Sequence, residues 1–164
     1  MGLYRLTNAA LAANEQIVVM RSDGASIPKD PSNADWQAYL AWLAQGNTPD
    51  PYAAPALSPQ DQFAAGIAAG VTLVWSVSTT LNGLWDCDQQ TQDQITAEMV
   101  SINTNGTFTN GAASRAWYDF GWTAHTFTVA QFKIFATAIG AHVDAWYGTL
   151  VGGSVPNATV NVNG

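Results

Sequence analysis

Three prolines fall within seven residues, at Pro49, Pro51 and Pro55. Each fixes φ and removes a backbone donor, so neither a helix nor a central strand can run through the segment. The spacing predicts an extended linker over residues 47–57, with folded pieces on either side. The first piece, residues 1–46, reads as a strand, a β-hairpin and a helix. Ile17, Val18, Val19 and Met20 are strand formers, Asp23 and Gly24 suit a tight turn, and residues 25–28 return as an edge strand ending at the donor-less Pro28. Asn33 or Ser32 stands where a helix cap belongs. Trp36, Tyr39, Leu40 and Leu43 follow at helical spacing, and Gly46 marks the stop. That stripe leaves Trp42 on the outer face.

The second piece, residues 58–151, alternates helix and strand signals. Ser58 before Pro59 opens a helix to Ala69, and residues 71–78 are β-rich. Asn82 and Gly83 predict a hairpin turn. Asp88 caps a helix over 89–103 whose stripe is Ile95, Met99 and Ile102, with Asn105 and Gly106 as the stop. Two short strands flank Asp119, Phe120 and Gly121. Thr126 or Thr128 caps a last helix along which Phe132, Phe135, Ile139, Val143, Trp146 and Leu150 recur at helical steps. Gly152 and Gly153 end it, and residues 152–164 read as a loose polar tail. The sum is an α+β fold: antiparallel β-hairpins packed on one face against two or three helices, preceded by a small hairpin-plus-helix module. A chain of 164 residues can bury a sufficient core without staples.

Charge narrows the partners. Lys and Arg number 5 against 12 Asp and Glu, a net −7. The cations Arg5, Arg21, Lys29, Arg115 and Lys133 are scattered and form no patch, which argues against nucleic acid and against an anionic membrane surface. The N-terminal stretch lacks the form of a secretion signal, and no apolar run approaches the length of a membrane span. A single cysteine, Cys87, can build neither an internal disulfide nor a thiolate cage, and suits a reducing compartment. Charged residues are only 10% of the chain, against about 25% in an average globular domain. Such a surface suits a protein covered by a partner or by copies of itself.

No motif for chemistry stands out. Asp86, Asp88, Asp93 and Glu98 are the densest acidic cluster, but Thr91 and Ala97 occupy the positions where a calcium loop needs Gly and Glu. Carboxylates around a helix N-terminus account for them better. His125 and His142 have no third metal ligand at hand. Asp119 can approach His125 across a hairpin, yet no Ser sits on a Gly-flanked elbow and no Cys–His signature surrounds Cys87. No catalytic residue, cofactor or metal site is therefore expected. The one oddity is the aromatic load of 7 Trp, 5 Tyr and 6 Phe. These rings fill a core, or some form an exposed platform for a sugar or a protein partner. The residues singled out for such a surface are Trp42, Tyr52, Trp117 and Trp122.

Two stretches carry a family resemblance. Ser22, Asp23, Gly24, Ile27, Pro28, Asp30, Pro31, Asn33, Asp35, Trp36, Tyr39, Trp42, Leu43, Gly46, Asn47 and Pro49 match a segment found in small tail-associated and tail-fibre assembly proteins of tailed bacteriophages and prophages. From about residue 61 to 151, "TTLNGLWDCDQQTQDQI", "NTNGTFTNG" and "HTFTVAQFKIFATAIGAHV" resemble a domain of unknown function carried by phage tail-fibre and tail-accessory proteins. Where that domain reads closer to Tyr-Ala-Val-Asp before its second helix, this chain has the bulkier and more acidic Leu84, Trp85, Asp86, Cys87 and Asp88. The resemblance implies a non-enzymatic protein, either a structural tail component of the virion or a tail-fibre assembly helper in the bacterial host cytoplasm. Its partners would be other phage tail or tail-fibre proteins. A homo-oligomer stays open, as does the alternative of a receptor-binding module that holds host polysaccharide on exposed aromatics.

Overall fold

The computed structural model describes residues 2–7 and 18–164, so Ile17 lies outside the described residues. The fold is α+β. The chain divides into two compact units, Met1–Ala56 and Leu57–Gly164.

In the first unit, β1 (Tyr4–Leu6), β2 (Val18–Arg21) and β3 (Ser26–Pro28) form an antiparallel sheet in that order. Gly24, at φ 90°, takes the tight turn before β3, and the Asp23 carboxylate accepts the Ala25 N–H at 3.1 Å. The Asn33 side chain caps α1 (Ala34–Ala44) by accepting the amides of Asp35 and Trp36. Tyr4, Val19, Ile27, Trp36 and Tyr39 make the core, with Leu6, Trp42 and Leu43 against it. Trp42 is therefore not on an outer face. Its ring lies 5.0 Å from that of Tyr4, and Leu40 is the exposed residue instead. The buried face of α1 follows the three-residue row Trp36, Tyr39, Trp42 because β1 presents Tyr4 to it. The Pro-rich stretch is also more than a linker at its start. Asp50, between two prolines, keeps its amide, donates it to the Tyr4 carbonyl at 2.9 Å, and accepts the Leu6 N–H at 3.0 Å.

In the second unit, β4 (Val71–Trp75) is the centre of a three-stranded sheet, with β5 (Gly83–Trp85) antiparallel on one side and β8 (Thr159–Val162) parallel on the other. β8 corrects the expectation of a loose tail. Val160 and Val162 alternate with polar residues and face the core, while the amides of Thr72, Ser76 and Ser78 donate to Ala158, Val162 and Gly164. Asn82 and Gly83 do not form the expected tight turn. A 3₁₀ turn, Thr79–Leu81, links β4 to β5, and extended Asn82 uses its side-chain oxygen to accept the Trp75 N–H at 2.6 Å. The helices α2 (Pro59–Ala69) and α3 (Gln89–Asn105) are capped by Ser58 and Asp88. β6 (Ser114–Tyr118) and β7 (Ala124–Thr128) form a hairpin. Thr128 and Gln131 then form a capping box on α4 (Val129–Thr149), which contributes Phe132, Phe135, Ile139 and Val143 to the core. Leu150 falls at the C-cap and is exposed. α2 rests on α4 through Gly66, where a Cβ would overlap the indole of Trp146.

Candidate functional site

The end of β5, the first turns of α3 and the β6–β7 hairpin enclose a cleft of about 390 Å³ in the second unit. Its floor is Trp85 and Phe135, both buried. One wall is the acidic step from β5 into α3. Asp88 spends a carboxylate oxygen on the Thr91 amide at 2.7 Å, as a helix cap does. Among the described residues Asp86 has no such donor, and burial, with Asp88 close by, raises its carboxyl above the ordinary value. Between them Cys87 is turned into the core, where burial first and the two carboxylates second push its thiol up to about 12. At neutral pH it is an inert thiol. Gln90, Thr91 and Gln94 continue this wall along α3.

The opposite wall is Arg115, Trp117 and Tyr118 of β6, with Asp119 and Trp122 from the hairpin loop. Arg115 is committed to structure. It binds the buried Glu98 carboxylate and the Thr109 hydroxyl, and its guanidinium lies 5.9 Å from the Trp117 ring centre. The loop is tied down by Asp119. Asp119 Oδ1 accepts the Thr123 N–H at 2.8 Å, its carbonyl accepts the Trp122 N–H at 2.9 Å, and the Phe120 N–H reaches back to Leu84 at 2.7 Å. Burial works to raise the Asp119 carboxyl, but the Thr123 amide, His125 and the Gly121 amide outweigh it and hold it below the ordinary value. The expected approach of Asp119 to His125 is present, 3.1 Å from Oδ2 to Nε2, while Nδ1 lies 2.7 Å from the Thr80 carbonyl. Both ring nitrogens thus face fixed oxygens, so His125 fastens the hairpin to the 3₁₀ turn and neither nitrogen is placed to activate a nucleophile.

Of the residues singled out from sequence, Trp42 is half-buried against the core of the first unit and Tyr52 is half-buried in the same unit. Trp117 and Trp122 line the cleft, Trp117 half-buried with its edge on Phe132 and Trp122 83% exposed. Tyr118, 56% exposed and 6.2 Å from Trp122 between ring centres, went unsingled, as did Asp86 as a cleft residue. The alternation along β6, with Tyr118 next to the half-buried Trp117, was the available signal. Among the described residues, no three His, Cys, Asp or Glu side chains gather closely enough to hold a metal ion, and no helix is long and apolar enough to cross a membrane. Asp88, Asp93 and Glu98 are each used locally, as a cap, as the acceptor for Gln89 and as the partner of Thr109 and Arg115. No family model, no curated protein and no solved structure matches the chain.

Proposed function

We propose that this chain is a non-enzymatic tail-associated protein of tailed bacteriophages. It acts by contact with other tail or tail-fibre proteins, within the virion or as a helper of fibre assembly in the host cytoplasm. One observation carries the reading: the residues that resemble tail proteins supply the helix, the hairpin turn and much of the core of the first unit. Ile27, Trp36 and Tyr39 are its core, Trp42 and Leu43 pack on that core, Asn33 caps its helix, and Gly24 turns its hairpin. The matched residues thus include three of the five core residues of the first unit, Tyr4 and Val19 standing outside them, and are not a scatter of surface matches. A weakly charged surface agrees with a life spent against other proteins.

The test is proteomic. The full chain is tagged in its resident phage or prophage, and purified particles and tail-fibre pull-downs are analysed by mass spectrometry. A stoichiometric band in particles identifies a virion component. Capture with the fibre protein but absence from particles identifies an assembly helper. Absence from both, with a deletion strain that assembles and adsorbs normally, sinks the proposal.

A further inference from the structure

We infer that the cleft of the second unit binds a neutral oligosaccharide, with Trp122 and Tyr118 as stacking rings and Asp86, Gln90 and Gln94 as partners for hydroxyl groups. Its volume lies within the usual range for small-molecule sites. Trp122 and Tyr118 stand exposed at its rim, where a soluble protein ordinarily has little use for large rings.

Trp122 is also the one described residue other than glycine at positive φ, 62°, although Gly121 stands beside it and would take that conformation freely. Asp119 staples the loop in this form, so the indole is held outward before any ligand arrives.

Beneath those rings, Trp85, 1% exposed, forms a rigid floor to the cleft.

The chemistry of the walls selects the ligand. A pyranose has an apolar C–H face to lie on an aromatic ring and a rim of hydroxyls that both donate and accept. Gln90 and Gln94 offer amides that can do both and are spent on no other described residue, and Asp86 offers acceptors. Asp86, Asp88 and Asp119 against the engaged Arg115 disfavour uronic or sialic sugars. An organic cation would satisfy the rings and acids but would leave the amides idle.

The full chain is titrated with maltohexaose, xylohexaose and the β-1,4 hexamer of N-acetylglucosamine. Tryptophan fluorescence and calorimetry are the readouts, with oligogalacturonate and tetramethylammonium as controls. At least one neutral hexamer is expected to bind saturably. Trp122→Gly and Tyr118→Ala should each weaken it tenfold or more while far-UV circular dichroism and melting temperature hold. Asp86→Asn should weaken it less. Because glycine relaxes the positive φ, loss of binding in Trp122→Gly cannot be laid to unfolding. No neutral binding at millimolar concentration, equal binding by Trp122→Gly, or a control that binds in place of the neutral hexamers overturns the inference.

Discussion

Gly66 sits within α2, where glycine costs about 1 kcal/mol against alanine. It is kept because Trp146 occupies the space a Cβ needs. Trp146 cannot retreat, since it is buried and donates its indole N–H to His142 Nε2 at 3.1 Å. Accepting at Nε2 requires a neutral ring with its proton on Nδ1. Burial agrees, lowering the His142 pKa from its ordinary 6.5. Protonation would set one donor against another, so the native state resists it and the unfolded chain does not. The contribution of His142 to stability is thus fully present above pH 6.5 and is lost as pH falls from there through the lower folded value. The depressed carboxylate of Asp119 acts only below its own ordinary value of 3.8. The melting temperature is expected to be flat between about pH 7 and pH 8 and to decline on acidification from about pH 6.5. His142→Gln, whose amide oxygen can accept the same bond without titrating, should flatten that decline. A slope unchanged in the variant would assign the effect elsewhere.

At the scale of elements, β8 does more than a polar tail would. It closes one edge of β4 and buries Val162, and the segment 158–164 around it accepts three amide hydrogen bonds from residues 72–78. Burying a valine is worth about 1.5–3 kcal/mol and each hydrogen bond about 1 kcal/mol net. Deleting residues 158–164 is therefore expected to cost the second unit about 3 kcal/mol or more, read as a lower urea midpoint by tryptophan fluorescence. A midpoint within error of the parent would mean that β8 adds little. The sequence conceals β8 because its pattern is short and polar and its partner is remote and parallel. Local signals read well by contrast. Asn33, Ser58, Asp88 and Thr128 each cap the helix that follows, and Gly106, left-handed, ends α3. Asn82 misleads because a side-chain bond to the Trp75 amide competes with the turn its dipeptide favours. The pairing of Asp119 with His125 is legible, since a hairpin brings them together. The cleft is not, because it needs β6 placed opposite the start of α3, and no local pattern encodes that juxtaposition.

At the scale of the whole molecule, the two units differ in how much core each can call on. Among the described residues, the first has five buried apolar side chains, Tyr4, Val19, Ile27, Trp36 and Tyr39, with one short helix. A core of that size holds a small unit by only about 3–5 kcal/mol. The second draws its larger core from β4, β5, β7, β8, α3 and α4, with Trp75, Trp85, Phe127, Phe132 and Phe135 in successive ring contacts. Every residue of that core lies in Leu57–Gly164. Fragment 57–164, expressed alone, is expected to fold, with a near-ultraviolet circular dichroism signal from its packed tryptophans and a cooperative melt. In calorimetry of the full chain, the first unit should melt at the lower temperature, and aromatic-to-alanine change at Trp36 should move that transition and leave the upper one in place. A fragment that stays unfolded, or a Trp36→Ala chain in which the upper transition falls with the lower, would show that the larger core cannot stand without the smaller.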